Sequence, residues 1–311
     1  MNFKNTIFTI FVELIRMFKW IRCLIIYLFL RKKIIIVRAA VVTKCGGVKP
    51  FNWGDDINYY LLKLISGKKI VFLPHGVMSN ILSLPCYLGI GSIVSFYNLD
   101  KTSIIGSGII SDKAFKDLKG KPSKIYFVRG PLTRSVLVKH GIACPEIYGD
   151  LALTLPVYYT PKVIKKDIFL GIVLHIADEN LYSIQQIKKT YPEIRIIYMN
   201  KYLKWTDIID EINSCEVIFS SALHGLITSE AYGICNQWIS FKDKIASRWE
   251  TGYEFKYKDF FASIEKKVTM PIEIDHTTNL YELAKKVKKN WTRNTFDVYK
   301  LIDALPDEFK H

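Results

Sequence analysis

An α/β protein with two Rossmann-like lobes, each built on a parallel sheet, and an amphipathic helix ahead of them is what this sequence predicts. Three observations carry that expectation. From Lys33 onward, short β-rich runs alternate with helical patterns, the signature of right-handed βαβ units. The alternation occurs twice, and the two series are separated by a stretch at 156–166 with two prolines, two adjacent tyrosines and three lysines. The 311 residues suit two domains with extra terminal segments rather than one core. The expected organisation is a basic helix over 1–33, a first lobe over 34–160, a second over 161–270 and helices over 271–311.

The opening segment is apolar but interrupted. Glu13, Arg16, Lys19 and Arg22 break residues 6–30, and the longest charge-free apolar tract, Cys23–Leu30, is eight residues. A spanning helix needs about 20. A cleaved signal would carry its basic residues first, whereas Arg31-Lys32-Lys33 follows the apolar tract here. The pattern predicts a helix lying in a membrane interface, with Phe18, Trp20 and Phe29 as anchors; packing on the protein's own surface or on a partner subunit is the alternative. Seven of the cations behind the +15 net charge lie in these 33 residues, against Glu13 alone. With no recognition motif accompanying the charge, nucleic acid is not an expected partner.

In the first series, Ile34–Val42 reads as the first strand. Asp56–Ser66 has helical spacing, with Gly67 as its stop. Ile70–Leu73, Ile104–Ile110 and Lys124–Val128 read as strands, and Pro131–His140 as a helix with proline in its first turn. In the second series, the strands are Ile168–Ile176, Ile194–Met199, Val217–Ser220 and Gln237–Phe241. The helices fall near 180–190, 205–214 and 223–232, and Leu280–Leu305 forms terminal helices that pack back across the lobes. The six cysteines are scattered without a CxxC pair or His cluster, so reduced thiols and no metal site are expected.

Ligands of parallel α/β sheets bind beyond the carboxyl ends of the strands, and each candidate motif lies at such a turn. Ser220-Ser221-Ala222-Leu223-His224-Gly225 follows a strand and opens a helix, whose free N–H groups favour phosphate or carboxylate. Ser221 is the expected N-cap, Ser220 a second hydroxyl donor, and Gly225 a point of close approach. The helix end should depress the pKa of His224, and a bound phosphate dianion should restore it, making the imidazole a usable acid. Asn52-Trp53-Gly54-Asp55-Asp56 joins the first strand to its helix; Asp55 or Asp56 either caps that helix or holds a sugar hydroxyl. Gly106-Ser107-Gly108 is a short Gly-rich turn. Arg129, with Arg134 one turn on, can pair with a ligand carboxylate or phosphate, or with Asp150. Lys242, Arg248, Lys256 and Lys258 are interleaved with aromatics that suit an anionic sugar substrate.

Taken in order, these motifs resemble the polysaccharide pyruvyl transferase family. The resemblance rests on Asn52-Trp53-Gly54-Asp55, Gly106-Ser107-Gly108, Val128 to Arg134, Tyr148-Gly149-Asp150, Ser220 to Gly225 and Glu230-Ala231-Tyr232-Gly233, and covers about 36–265. Phe255 to Phe260 looks like the branch acting on exopolysaccharides. The resemblance implies GT-B-like lobes and phosphoenolpyruvate as donor, with no cofactor. It also implies a glycan or lipid-linked oligosaccharide acceptor that receives a pyruvate ketal, and a site at the inner face of the membrane. His224 would be the proton donor and Asp55 the hydroxyl base. Asn52, Gly54, Asp56, Gly106, Ser107, Arg129, Arg134, Asp150, Ser220, Ser221, Gly225, Lys242 and Arg248 would bind substrate. The family arginine two residues before the histidine is replaced here by Ala222, with Arg129, Lys242 and Arg248 as candidate substitutes. A nucleotide-sugar glycosyltransferase and a non-catalytic glycan-binding protein are the alternatives.

Overall fold

A computed structural model describes residues 3–44, 47–162, 166–244, 252–268 and 270–310. Helix α1 (Phe3–Leu30) precedes strand β1 (Ile34–Arg38). The first strand is shorter than the 34–42 expected. It ends at Arg38, whose buried guanidinium donates to Asn98 O, Ser79 O and Ser83 Oγ, each at 2.9 Å. Val42 then belongs to an antiparallel pair, β2 (Val42–Lys44) with β3 (Gly47–Lys49). Helix α2 (Trp53–Ser66) buries Ile57, Leu61, Leu62 and Ile65 and stops at Gly67, which is left-handed (φ 58°). The first lobe continues through β4 (Lys69–Phe72), α3 (Val77–Ile81), β5 (Cys86–Leu88), β6 (Thr102–Ile105), β7 (Lys124–Phe127), α4 (Pro131–Lys139) and α5 (Leu155–Tyr158).

The second lobe runs β8 (Ile168–Leu174), α6 (Tyr182–Thr190), β9 (Arg195–Tyr198), α7 (Asp207–Asn213), β10 (Cys215–Ser220), α8 (Leu223–Tyr232), β11 (Cys235–Phe241), α9 (Glu254–Ser263) and β12 (Ile272–Ile274). Strands β5 and β12 and helices α3 and α9 carry too little periodicity to be legible beforehand. Helices α10 (Leu280–Asn290) and α11 (Val298–Asp303) follow. The first buries Leu280, Ala284 and Val287 against the second sheet. The chain then crosses back, so that Leu301 meets Gly149, and Tyr87 sits edge-on to Phe309 at 5.1 Å.

Both sheets are parallel. Their orders are β4-β1-β5-β6-β7 and β12-β11-β10-β8-β9. Numbered within each lobe, both read 2-1-3-4-5, a doubly wound order whose strand direction of travel reverses between the first and third strands. The reversal falls between β1 and β5 in the first lobe and between β8 and β10 in the second. Crevices open at the carboxyl ends of these pairs, so the fold itself directs ligands to the segments after Arg38, Leu88, Leu174 and Ser220.

Among the polar links between the lobes, which include those of Tyr159 with Asp210 and Tyr232, three are centred on Trp53, Asp56 and Asp259. Trp53, fully buried, donates its backbone N–H to Met199 O and its indole N–H to Trp205 O, both at 2.7 Å. Tyr202 donates to Asp56 at 2.8 Å. The third link is the Asp259 carboxylate of α9. It accepts from Arg129 Nε at 3.0 Å, Thr133 N at 2.9 Å and Thr133 Oγ1 at 2.7 Å, with both charged side chains fully buried. Removing one partner of a buried ion pair strands the other charge. Asp259→Ala is therefore expected to cost about 3–5 kcal/mol in urea unfolding; a loss below about 1 kcal/mol would place this pair with surface bridges and remove it as the lobe clamp.

Candidate active site

The lobes meet where α2 of the first faces α8 of the second. His224, in the first turn of α8, lies directly on Gly54, in the first turn of α2. A Cβ at Gly54 would stand 2.0 Å from His224 Nδ1, so only glycine leaves the ring its place. The other ring nitrogen, Nε2, is 3.9 Å from Asp150 Oδ2. Both of those atoms are buried and without a hydrogen bond. Asp150 is held by its other oxygen, which accepts Ala152 N at 2.9 Å.

Electrostatics at this point are those of a dry, charge-rich site. Burial pushes the pKa of His224 down to about 3, helped by the positive charges of Arg129 and Lys256. The depressed value matches the direction expected of a helix N-terminus, but desolvation is the larger cause. Burial raises Asp150 to about 6. Burial, with Asp56 adding to it, raises Asp55 to about 7, while Lys256 and the Asn52 amide oppose the rise. Lys256, on α9, is 7% exposed, and desolvation brings it down to about 7. Its ammonium lies 4.5 Å from the Tyr253 ring centroid and 5.2 Å from that of Tyr257, where the π faces favour a cation. Two neutral-range carboxylates, a neutral imidazole and an amine that titrates near neutrality thus share one junction.

Lys256 opens onto a cleft of 690 Å³ at the carboxyl end of the second sheet. Ser221, His175, Asp178, Lys244 and Tyr257 are among its walls. This is the crevice that the strand reversal between β8 and β10 predicts.

The predicted residues divide by what they do here. Asn52 is the N-cap of α2 and donates its amide to Asp55 Oδ2 at 2.6 Å, aiming that carboxylate. Asp56 accepts the N–H groups of Phe51 and Asn52 at 2.9 and 3.0 Å, so of the two acids it is the one that ties down the helix start. Ser221 does not cap α8; Ala222 occupies that position. Ser220 Oγ accepts Ala222 N at 3.1 Å and thereby closes the turn, while Ser221 Oγ accepts His175 N at 3.0 Å and ties the end of β8 to that of β10. Gly225 seats α8 on Val173 and Ser220.

Arg129 does not pair with Asp150. Besides Asp259, it reaches Ser92 Oγ and, at 2.7 Å, Ile109 O, and a Cβ at Gly108 would strike its guanidinium at 2.3 Å. Each of its three nitrogens donates within the protein, and its charge is felt at His224. Ser107 donates its hydroxyl to Gly91 O at 2.9 Å, and Gly106 (φ 98°) packs on Gly149 and Leu151, so this turn braces the first lobe. Arg134 bonds Cys144 O and Glu146 at the surface. Lys242 forms an exposed pair with Asp275 at 2.9 Å. Arg248 lies outside the described residues. Lys256 is the residue that sequence reasoning noted only as part of a basic stretch. Its signal was a lysine between Phe255 and Tyr257, on a helix whose neighbours are otherwise mostly aromatic.

Among the described residues, no His, Cys, Asp and Glu group is arranged to hold a metal, and the five described cysteines are buried and free.

Two parallel lobes with an acid–base junction between them define a two-lobed α/β protein of the group-transfer type. The chain belongs to the polysaccharide pyruvyl transferase family, whose model matches residues 13–241. An uncharacterized protein, L143, of Acanthamoeba polyphaga mimivirus is 26% identical over 204 residues, 62% of this chain. The match spans 66% of the length of that relative. No solved structure matches the chain.

The Gly54–His224 contact sets a direct test. Alanine in a helix ordinarily stabilises it by up to about 1 kcal/mol over glycine. Gly54→Ala is expected instead to drive the imidazole out of the junction, visible as a rotated His224 ring in the variant's crystal structure. An unmoved ring would show that the contact does not position it.

Proposed function

We propose that the protein transfers the pyruvyl group of phosphoenolpyruvate to two hydroxyls of one sugar in a cell-surface polysaccharide or its lipid-linked precursor, forming a ketal. The observation that carries this reading is the unpartnered Nε2 of His224 facing the unpartnered Asp150 carboxylate oxygen, with the Lys256 amine nearby in the same charged cluster. The family supports the reaction class. The site supplies the parts.

The donor is an enol phosphate. A proton added to its methylene carbon leaves an oxocarbenium-like centre at C2. One sugar hydroxyl adds there, the bond from C2 to the phosphate oxygen breaks, and a second hydroxyl closes the ketal. Of the two hydroxyl protons, one restores the acid and the other leaves with phosphate. His224 Nε2 is the proton donor. Free, it is neutral at physiological pH, because charge on it is opposed by burial and by two cations. A bound dianion offsets those cations and raises its pKa, and Asp150 then stabilises the imidazolium at 3.9 Å. The donor therefore arms its own acid. Lys256, rather than Arg129 or Lys242, is the cation that meets the donor's anionic groups, in the 690 Å³ cleft. Asp55, aimed by Asn52, takes each hydroxyl proton in turn and passes one to restore His224 and one to the departing phosphate. The chemistry is complete without a redox cofactor. The acceptor is presented at the inner face of the membrane, where α1 rests.

His224→Ala is expected to lower turnover by about 10²–10⁴ while the unfolding midpoint stays near the parent's. Near-parental phosphate release from phosphoenolpyruvate plus acceptor would exclude His224 as the acid. The pH profile gives a second check. Asp55 must be ionised and Lys256 charged in the free enzyme, and both titrate at about 7. The profile of kcat/KM should fall on both sides of neutrality. Lys256→Arg keeps its charge at all working pH values, so the alkaline limb should disappear in that variant; a limb unchanged would assign it to another group.

A further inference from the structure

Helix α1 has two faces. One buries Trp20 and Cys23 against the first lobe, where the indole N–H reaches Leu82 O at 3.1 Å and the thiol Phe72 O at 3.2 Å. The other leaves Phe11, Leu14, Ile15, Phe18, Ile25 and Phe29 exposed. Their spacing of three and four residues makes one stripe along the helix. Among the described residues no helix is long and apolar enough to cross a membrane, so a stripe of this kind has an interface, not a bilayer interior, as its natural environment. Exposed Lys19, Arg22, Arg31, Lys32 and Lys33 share the helix and the turn after it.

Beside the stripe, a cleft of 550 Å³ opens between α1 and the carboxyl ends of β1 and β4. It is lined by Arg16, Lys19, His75, Thr43 and Tyr97, among others, and by no acidic residue. Arg16 is paired with Glu13, which also accepts the Val77 N–H. Arg38 stands over the Tyr97 ring at 5.4 Å, and the His75 ring meets the same tyrosine at 5.3 Å. His75 is held below its ordinary pKa chiefly by burial, with Arg16 and Arg38 adding to the fall and Glu13 opposing it. The cleft lies next to the first lobe's strand reversal, and Tyr97 also feels the charge of Asp55. The cleft thus opens on the α1 side of the first lobe's crevice, with Tyr97 in its wall.

We propose that this cleft holds the phosphate or diphosphate head of a membrane lipid, with Arg16, Lys19 and His75 around the anion and the apolar stripe of α1 seated in the same leaflet. The proposal rests on the membrane-surface part of the functional reading, and charge complementarity selects lipid over a second copy of this cationic chain. In that arrangement, a sugar carried on the lipid phosphate extends along Tyr97 toward Asp55.

The full chain is tested by vesicle flotation on phosphatidylcholine alone, with added phosphatidylglycerol, and with a trace of polyprenyl diphosphate. The parent should bind the diphosphate vesicles more tightly than phosphatidylcholine vesicles of otherwise equal composition. A cation at an anionic surface contributes roughly fivefold to binding. Arg16→Gln/Lys19→Gln should therefore lose about 25-fold on the diphosphate vesicles, and Arg16→Lys/Lys19→Arg should recover most of it. Phe18→Glu should weaken binding to all three, which separates the stripe from the cleft. An equal loss by the double variant on phosphatidylglycerol and diphosphate would overturn the head-group site, because bulk anionic lipid would then account for the cations. A parent that ignores vesicles, or buries the stripe in a dimer, would overturn the proposal as a whole. Binding of phosphoenolpyruvate to the same parent preparation is read in parallel: intact donor binding with no vesicle binding rejects the cleft and leaves the pyruvyl reading standing, and the converse rejects that reading alone.

Discussion

A single carboxylate sets the geometry of the molecule. Asp259 is buried in the second lobe's α9, yet its three hydrogen bonds go to Arg129 and Thr133 of the first. A buried charge is tolerated only when paired and fully hydrogen-bonded, so α9 has one acceptable seat on α4. Fixing α9 places Lys256, one turn earlier on the same helix, at the junction. Fixing Arg129 places a permanent positive charge within range of His224 without spending any of its donors on a ligand. The clamp between lobes and the electrostatic setting of the site are thus one interaction.

The histidine shows how the two lobes share the work. Its position comes from the second lobe, through the Ser220 turn and the start of α8. The room for its ring comes from the first, at Gly54, and so does its facing carboxylate, Asp150. Neither lobe alone contains the arrangement. Without ligand the balance of burial and cations keeps the imidazole neutral, and in the proposed reaction a dianionic donor reverses that balance. The low pKa of the free site is a condition of the proposed chemistry, since it makes protonation depend on the donor being present.

Much of the fold was legible because parallel strands buried on both faces read as runs such as Ile34-Ile35-Ile36-Val37 and Ile168 to Leu174. Short edge strands such as Ile272–Ile274 have too few residues for a period, and β1 ends early because Arg38 needs buried acceptors that no sequence pattern displays. The turn motifs at Asn52–Asp56, Tyr148–Asp150 and Ser220–Gly225 meet at the interlobe junction, since glycines and acids at strand ends mark close approach. Which residue did which task was not legible. Asp55 and Asp56 are adjacent and alike, and it takes the N–H groups of Phe51 and Asn52 together with the Tyr202 hydroxyl to make Asp56 the brace. Arg129 looked like a ligand residue because its partner, Asp259, lies 130 positions away. Lys256 was not singled out because its burial and its electrostatic coupling to His224 and Asp55 depend on residues distant in sequence.

The central claim is that the interlobe junction receives phosphoenolpyruvate between His224 and Lys256. The most direct measurement is a crystal structure of the chain with phosphoenolpyruvate bound. The account predicts an anionic group of the donor on the Lys256 ammonium and its methylene carbon within reach of His224 Nε2. Donor density elsewhere, with the His224–Asp150 pair empty and Lys256 uncontacted, would contradict it.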